Sequence, residues 1–249
     1  MFKNIGCYLL IVFFFFMGCA DEQNLTFEEK TLEADRCDIC ARIRLSYPEA
    51  LGESKISNAI NTALSEEIIE TLHFDDELEI STVEDAIASF KKAYQNMQSS
   101  FADEVLGWEV EIDAIIMYED PQLITIGVES FLFTGGAHGF TKTHVLNFDK
   151  IRGIEIEGTE LIDNIEGFIK LAESKFRQQE GVPMNGGIND SGFMFPNNRF
   201  RLANNLGYCS EGVQLIYNQY EVSSYADGPI TLTLPFPEIN QFLNFTVID

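Results

Sequence analysis

The sequence predicts an α+β fold, in which an antiparallel β-sheet built as a meander packs with amphipathic helices. Three observations carry this expectation. Apolar residues recur every four positions at Ile56, Ile60, Leu64, Ile68 and Leu72, which places them on one helical face. From Trp108 the period drops to two, with Trp108, Val110 and Ile112 alternating with acids, the pattern of a half-buried strand. Helical and strand-like segments fall in clusters and do not alternate strictly, which favours α+β over a doubly wound α/β arrangement.

The elements follow in order. LTFEEKTLEA (25–34) and CARIRLSYPEA (40–50) read as strands, with Pro48 ending the second. A helix is expected over residues 53–73. Ser81-Thr82-Val83-Glu84 sets a capping hydroxyl before acids in a first turn. The helix it starts turns Ala86, Phe90, Ala93, Tyr94 and Met97 inward. The strand from Trp108 reaches a turn at Asp120-Pro121; QLITIGVESFLFTGG returns, and FTKTHVLNFD follows beyond the glycines. Three strands with short turns make the meander. NIEGFIKLAESKFRQQ (164–179) is an amphipathic helix, and 181–199, rich in Gly, Asn and Pro, reads as a long loop. FRLANNLG, VQLIYNQY and PITLTLPF supply the last strands, with a turn at Asp227-Gly228-Pro229 and a stop at Pro235 and Pro237.

With 249 residues and 45% hydrophobic content, the chain can bury a sizeable core. One domain is expected from residue 25 to 249, in two tightly packed parts, about 25–150 and 151–249. Sixteen Lys and Arg face 40 Asp and Glu, a net charge of −24. Such a balance argues against nucleic acid, which requires clustered cations, and against docking on anionic headgroups. It favours a cationic partner and a soluble monomer.

The first residues read as a targeting segment. Lys3 precedes an apolar run from Cys7 to Met17, too short to span a bilayer, and then Gly18-Cys19. A small residue directly before a cysteine resembles a bacterial lipobox, although Phe16 stands where Leu is preferred. The expectation is a lipoprotein signal peptide over 1–18, lipidation and membrane attachment at Cys19, and a tether over 19–24. Ordinary secretion, with Cys19 just past the cleavage point, is the alternative. In an oxidising compartment Cys37 and Cys40 are expected to form a disulfide; pairing of one of them with Cys209 stays open.

The stretch GGAHG, residues 135–139, invites a functional reading. A phosphate-cradling loop precedes a helix, whereas this one lies between two strands. Gly135 and Gly136 are expected to supply positive φ for the turn, and His138, beside Gly139, to lock it by hydrogen bonds. His138 could instead act as a base, but no G-x-S-x-G nucleophile motif is present. No His-x-x-x-His pair offers zinc ligands, and Asp75-Asp76-Glu77 lack calcium-loop spacing, so no metal or cofactor is expected. Tyr217, Tyr220 and Tyr225 fall in one short span. Aromatic residues favour binding surfaces, and they also pack sheets against helices.

Two stretches together carry a resemblance: SFLFTGGAHGFTKTHVLNFD (130–149) and RLANNLGYCSEGVQLIYNQYEVSSYADGPITLTLPFPEI (201–239). With RLSYPEA, they resemble the extracytoplasmic domain family found in the lysozyme-sensing anti-sigma factor RsiV and in the peptidoglycan deacetylase PdaC. The resemblance implies an α+β envelope module with a binding or sensing role. No deacetylase segment and no sigma-binding segment is expected in this chain, so neither relative's whole function carries over. The expected function is therefore a non-enzymatic envelope lipoprotein. Its ligand would be a cationic envelope-targeting protein such as lysozyme, or a peptidoglycan glycan. The alternative is a peptidoglycan-acting enzyme or accessory that uses His138.

Overall fold

A computed structural model of the protein describes residues 25–34, 40–74, 80–101 and 107–247. The expected signal segment, Cys19, Cys37 and Asp75-Asp76-Glu77 lie outside the described residues.

Strands β1 (Phe27–Ala34) and β2 (Arg42–Ala50) form an antiparallel pair. Helices α1 (Lys55–Leu72) and α2 (Val83–Ser100) follow. Each starts where a hydroxyl accepts an orphan backbone N–H, Ser54 from Ser57 and Thr82 from Asp85. Strands β3 (Glu109–Glu119), β4 (Leu123–Phe133), β5 (Phe140–Asp149) and the short β6 (Ile154–Ile156) complete a six-stranded sheet in sequence order. The meander β3–β4–β5 is antiparallel throughout, while β2 and β3 run parallel. A parallel pair requires a crossover, here supplied by α1 and α2.

Helix α3 (Ile165–Gln179) leads into the second part. Strands β7 (Asn205–Tyr208), β8 (Gly212–Tyr217) and β9 (Ile230–Pro235) form a second, antiparallel sheet, closed by the short helix α4 (Phe236–Ile239).

Two cores share the central strands. Ile124, Ile126, Val128, Leu146 and Phe148 pack with the apolar faces of α1 and α2. On the opposite face of β4 and β5, Thr125, Val145 and Asn147 meet β7. There the backbone of Gly207 comes so close that a Cβ would lie 2.4 Å from Val145 Cγ1; only glycine fits. The second core is rich in aromatics, with Phe176, Phe195 and Phe200 around Tyr217.

A β-bulge in β3 links the two cores. The register with β4 shifts between Ile116 and Tyr118. One extra residue flips every later side chain to the other face. Tyr118, which the alternation of Val110, Ile112 and Ala114 would have aimed at the helices, packs instead on Tyr208 at 5.3 Å and Phe236 at 5.9 Å.

Four details differ from the sequence reading. Pro48 lies inside β2, opposite Glu29. Pairing with β3 stops at Ser46, so beyond it one side of β2 is an edge where a missing N–H breaks no ladder. Met97 is exposed, because the buried stripe of α2 runs through Val83, Ala86, Phe90 and Tyr94 and ends a turn earlier. Only residues 205–208 of the FRLANNLG segment enter the second sheet. The loop 181–199 contains two 3-10 turns and buries Ile188 and Phe195, so it contributes to the core.

Candidate functional site

Strand β5 outruns its neighbour. Strand β6 pairs only with Asn147, Phe148 and Asp149, leaving the edge of β5 bare at Thr143 and Val145. An unpaired edge exposes backbone groups that must find partners, and asparagines supply them. The Asn218 amide accepts the Thr143 N–H at 2.9 Å and donates to the Thr143 carbonyl at 2.8 Å, mimicking one rung of a ladder. Asn205 Oδ1 accepts the Val145 N–H at 3.2 Å. Behind them, Thr125 donates to Asn147 Oδ1 at 2.9 Å and Asn147 Nδ2 donates to the Leu206 carbonyl at 2.9 Å. This buried network locks the second sheet to the first.

In front of the seam opens a cleft of about 550 Å³. Strand β5 contributes Phe140, Lys142 and His144; the second part contributes Arg201, Asn204 and the turn 218–221. Two largely buried carboxylates hold these cations, Glu67 from beneath the wall and Glu221 within the lining. Glu67, on α1, is 5% exposed; its Oε2 meets His144 Nδ1 at 2.5 Å and its Oε1 accepts from Lys142 Nζ at 3.3 Å. Glu221, with 8% of its side chain exposed, accepts the backbone N–H groups of Asn204 at 3.0 Å and Asn218 at 3.1 Å and pairs with Arg201 at 3.2 Å. The cations are far more open, at 38% for Lys142, 41% for His144 and 35% for Arg201. Each acid is therefore far less open than the cation it holds, Glu67 outside the lining and Glu221 within it, so the accessible charge of the cleft is mainly positive.

Protonation follows from this packing. The hydrogen bond to Glu67 raises the His144 pKa above the usual imidazole value, against the opposing effect of burial. Burial alone would raise Glu67, but the hydrogen bond and charge of His144, with Lys142, bring it below the ordinary carboxylate value. Glu155 on β6, close enough to act on His144, is raised by burial. Such an imidazole–carboxylate pair can hold a proton or bind an anion. Among the described residues, no Ser, Thr or Cys side chain lines the cleft, and no group of three or more His, Cys, Asp and Glu is placed to hold a metal ion.

At the lip, Asn218 to Glu221 form a turn closed by Glu221 N–H to the Asn218 carbonyl at 3.0 Å. Its third residue, Tyr220, has φ of 65° and is 60% exposed. Glycine suits that position; an L-residue there costs on the order of 1–2 kcal/mol. The turn holds an aromatic ring outward at this cost.

The residues singled out in the sequence fall in different places. Gly135 and Gly136 have φ of 103° and 92° between β4 and β5. His138 is exposed; its ring stacks on Tyr225 with centroids 4.0 Å apart, and Nδ1 lies 3.0 Å from the Gly139 carbonyl. The Tyr225 hydroxyl donates to that same carbonyl at 2.8 Å, and Tyr220 lies 5.8 Å from Tyr225. The two recognisable stretches thus meet at one surface. Tyr217 is fully buried, its hydroxyl donating to the Arg201 carbonyl at 2.7 Å, so it offers no surface to a ligand. Cys209 is buried and free, which removes its pairing with Cys37 or Cys40; the Cys37–Cys40 pairing falls outside the described residues through Cys37.

Glu67, Lys142, His144, Arg201 and Glu221 were not singled out in the sequence. A signal existed for Glu67, an acid on the stripe that carries Ile60, Leu64 and Ile68. None existed for Arg201 and Glu221, which meet only through the fold.

Two family models match the chain, one described as deacetylase PdaC over residues 37–141 and one described as DUF3298, a protein of unknown function, over residues 157–237. Together they span well over half of it. The chain belongs to the PdaC/DUF3298 domain family. This family is associated with the cell envelope. The cleft lies at the junction of the two matched segments: Glu67 is in the first, Arg201 to Glu221 in the second, and Lys142 and His144 between them. Two solved structures share the fold. A DUF3298 family member from Bacteroides fragilis is 15% identical with a TM-score of 0.68, covering 90% of this chain and 95% of its own. A DUF3298 family protein from Pseudomonas aeruginosa is 17% identical with a TM-score of 0.62, covering 88% and 94%. No curated protein gives a significant match. Among the described residues, no helix is long and apolar enough to cross a membrane.

Proposed function

We propose that this PdaC/DUF3298 protein is a non-enzymatic binding or sensing module of the bacterial envelope, held at a membrane by lipid on Cys19 and stapled by a Cys37–Cys40 disulfide. The observation that carries the reading is the lip formed where the two motif stretches meet. Tyr220, Tyr225 and His138 gather there beside an open cleft. Exposed aromatic residues next to polar groups favour recognition. For the rival reading, a hydrolase using His138, the surroundings give little support. The imidazole stacks on Tyr225, whose hydroxyl is already committed to Gly139, and a general base needs its substrate proton within hydrogen-bond reach.

The ligand, by the same proposal, is a cationic envelope-targeting protein such as lysozyme or a peptidoglycan glycan. The net charge of −24 speaks for the first and the cleft for the second. The test incubates the full chain with purified peptidoglycan, and separately with lysozyme. Co-sedimentation or complex formation without release of soluble fragments is expected; release of fragments by the chain itself overturns the reading. Intact-mass measurement of the chain isolated from membranes checks the covalent part. It should show a lipid mass that Cys19→Ala abolishes, and two fewer thiol hydrogens than the reduced chain.

A further inference from the structure

The cleft inverts the polarity of the molecule. A chain with 40 acids and 16 Lys and Arg turns Lys142, His144 and Arg201 into one pocket, keeps Glu67 behind its wall, and admits Glu221 to the lining with only 8% of its side chain exposed. Neither acid is free to receive a cationic ligand. Glu67 is engaged by two side chains, and Glu221 by two backbone N–H groups and a guanidinium. The groups that remain accessible are positive heads, the exposed Asn204 side chain and two exposed rings, Phe140 at 39% and Tyr220 at 60%. The volume falls in the range of small-ligand sites, about 300–1,000 Å³.

From this arrangement we infer that the cleft is a binding site for a carboxylate-bearing saccharide, with Lys142, His144 and Arg201 receiving the carboxylate and Tyr220 stacking on the sugar face. The inference rests on the binding reading above and names the ligand class of that site. A sugar ring pairs an apolar C–H face with hydroxyls around its rim, which matches a ring at the lip and the polar Asn204 side chain and cations in the cleft. The carboxylate accounts for the cations, since charge-assisted hydrogen bonds are the strong ones. The left-handed backbone of Tyr220 is the most specific sign. A turn that glycine would satisfy without strain carries tyrosine instead, and positions of stored strain collect at ligand clamps.

Equilibrium titration of the full chain decides the matter. The probes are an N-acetylglucosamine–N-acetylmuramic acid disaccharide, the same disaccharide with its carboxyl reduced to the alcohol, a glucuronic acid disaccharide, and a peptidoglycan stem peptide without sugar. The carboxylate-bearing disaccharides are expected to bind about tenfold or more tightly than the reduced one, and binding should weaken as salt rises. Preference for the muramic acid probe assigns peptidoglycan strands freed of their stem peptides as the source, because the lactyl carboxyl is otherwise amide-linked; equal binding of the glucuronic acid probe assigns acidic glycans generally, and both support the site. Tyr220→Gly and Lys142→Gln should each weaken binding by about tenfold. Tyr220→Gly should melt no lower than the parent, so its loss cannot be ascribed to unfolding. The inference is overturned if none of the sugars binds, if the reduced disaccharide or the sugar-free peptide binds as well as the acidic disaccharides, or if Tyr220→Gly keeps full affinity. Chromatography of the recovered disaccharide separates the two readings: a cleaved product defeats the non-enzymatic role and leaves the saccharide site standing.

Discussion

Two regions of this molecule pair acids with bases, and they do so in opposite ways. On the outer face of the first sheet, Arg42 meets Glu109 at 3.0 Å, and Arg44 meets Glu111 at 3.3 Å and Asp113 at 2.5 Å. Both partners are open there, from 28% to 50% exposed. At the cleft the acids are buried and the cations half open. A ladder of exposed pairs staples neighbouring strands weakly, because water and salt screen it. A buried acid fixes the direction of its cation. The charge pattern of the surface thus says little about energetics until the exposure of each partner is known.

The sharpest way to break this comparison is to remove a buried acid. Glu221→Ala would leave the N–H groups of Asn204 and Asn218 without their acceptor and take the ion-pair partner from Arg201, which keeps its hydrogen bond to Asn204 Oδ1 at 3.0 Å. The expected loss is about 2–4 kcal/mol, read by denaturant melts, and the turn carrying Tyr220 should loosen with it. A loss below about 0.5 kcal/mol, the scale of an exposed pair, would erase the distinction between the regions.

The second acid sharpens the comparison through pH. His144 is raised, so its contribution is complete below its unfolded value of 6.5 and fades as pH rises through the raised folded value. Glu67 is lowered, so its contribution is complete above 4.5 and fades as pH falls through the lowered folded value. The pair therefore contributes most between about pH 4.5 and 6.5. Lys142 from β5 works against the His144 charge, and Glu155 from β6 works with it. Glu67→Gln keeps a hydrogen-bond acceptor but removes the charge. It should cost about 1–2 kcal/mol at pH 6 and markedly less at pH 9, and equal losses at both would remove the ionic account.

Much of the frame was legible from periodicity. The four-residue spacing in α1 and the alternation in β3 gave elements within two or three residues of those found. The helix starts at Thr82 and Asn164 were also readable, since the capping side chain precedes the helix directly. The parallel pairing of β2 with β3 and the bulge at Met117 were not, because pairing partners and register are set by distant strands. The site was the least legible part. The glycines and His138 drew attention through rare local spelling, and of these His138 stacks on Tyr225, the neighbour of Tyr220 at the lip. The charged residues of the cleft are brought together from distant positions, Glu67 and His144 pairing across 77 of them, and spacing carries no information about such pairs.

Tyr220→Gly has a smaller and opposite effect. Relief of the left-handed backbone should stabilise the chain by up to about 1 kcal/mol, seen as a higher denaturant midpoint with unchanged slope. The exposed ring loses little packing to offset this. A fall in stability would mean that the ring supports the wall and is not held outward at a cost.

The smallest effect belongs to the exposed ladder. Arg44 makes three contacts to Glu111 and Asp113, one of them at 2.5 Å, and geometry alone would rank it above Arg201. Exposure reverses the order, because an ion pair in water gains little beyond what each ion loses in hydration and side-chain freedom. Arg44→Ala should therefore cost about 0.5–1 kcal/mol in low salt, part of it from the lost side-chain stem that covers the strand. The same change should cost less at molar salt, where the screening length falls to about 3 Å. Denaturant melts of Arg44→Ala and Glu221→Ala at both ionic strengths place the two regions on one scale. The ladder variant should lose most of its effect to salt, and the buried-acid variant should keep most of its own.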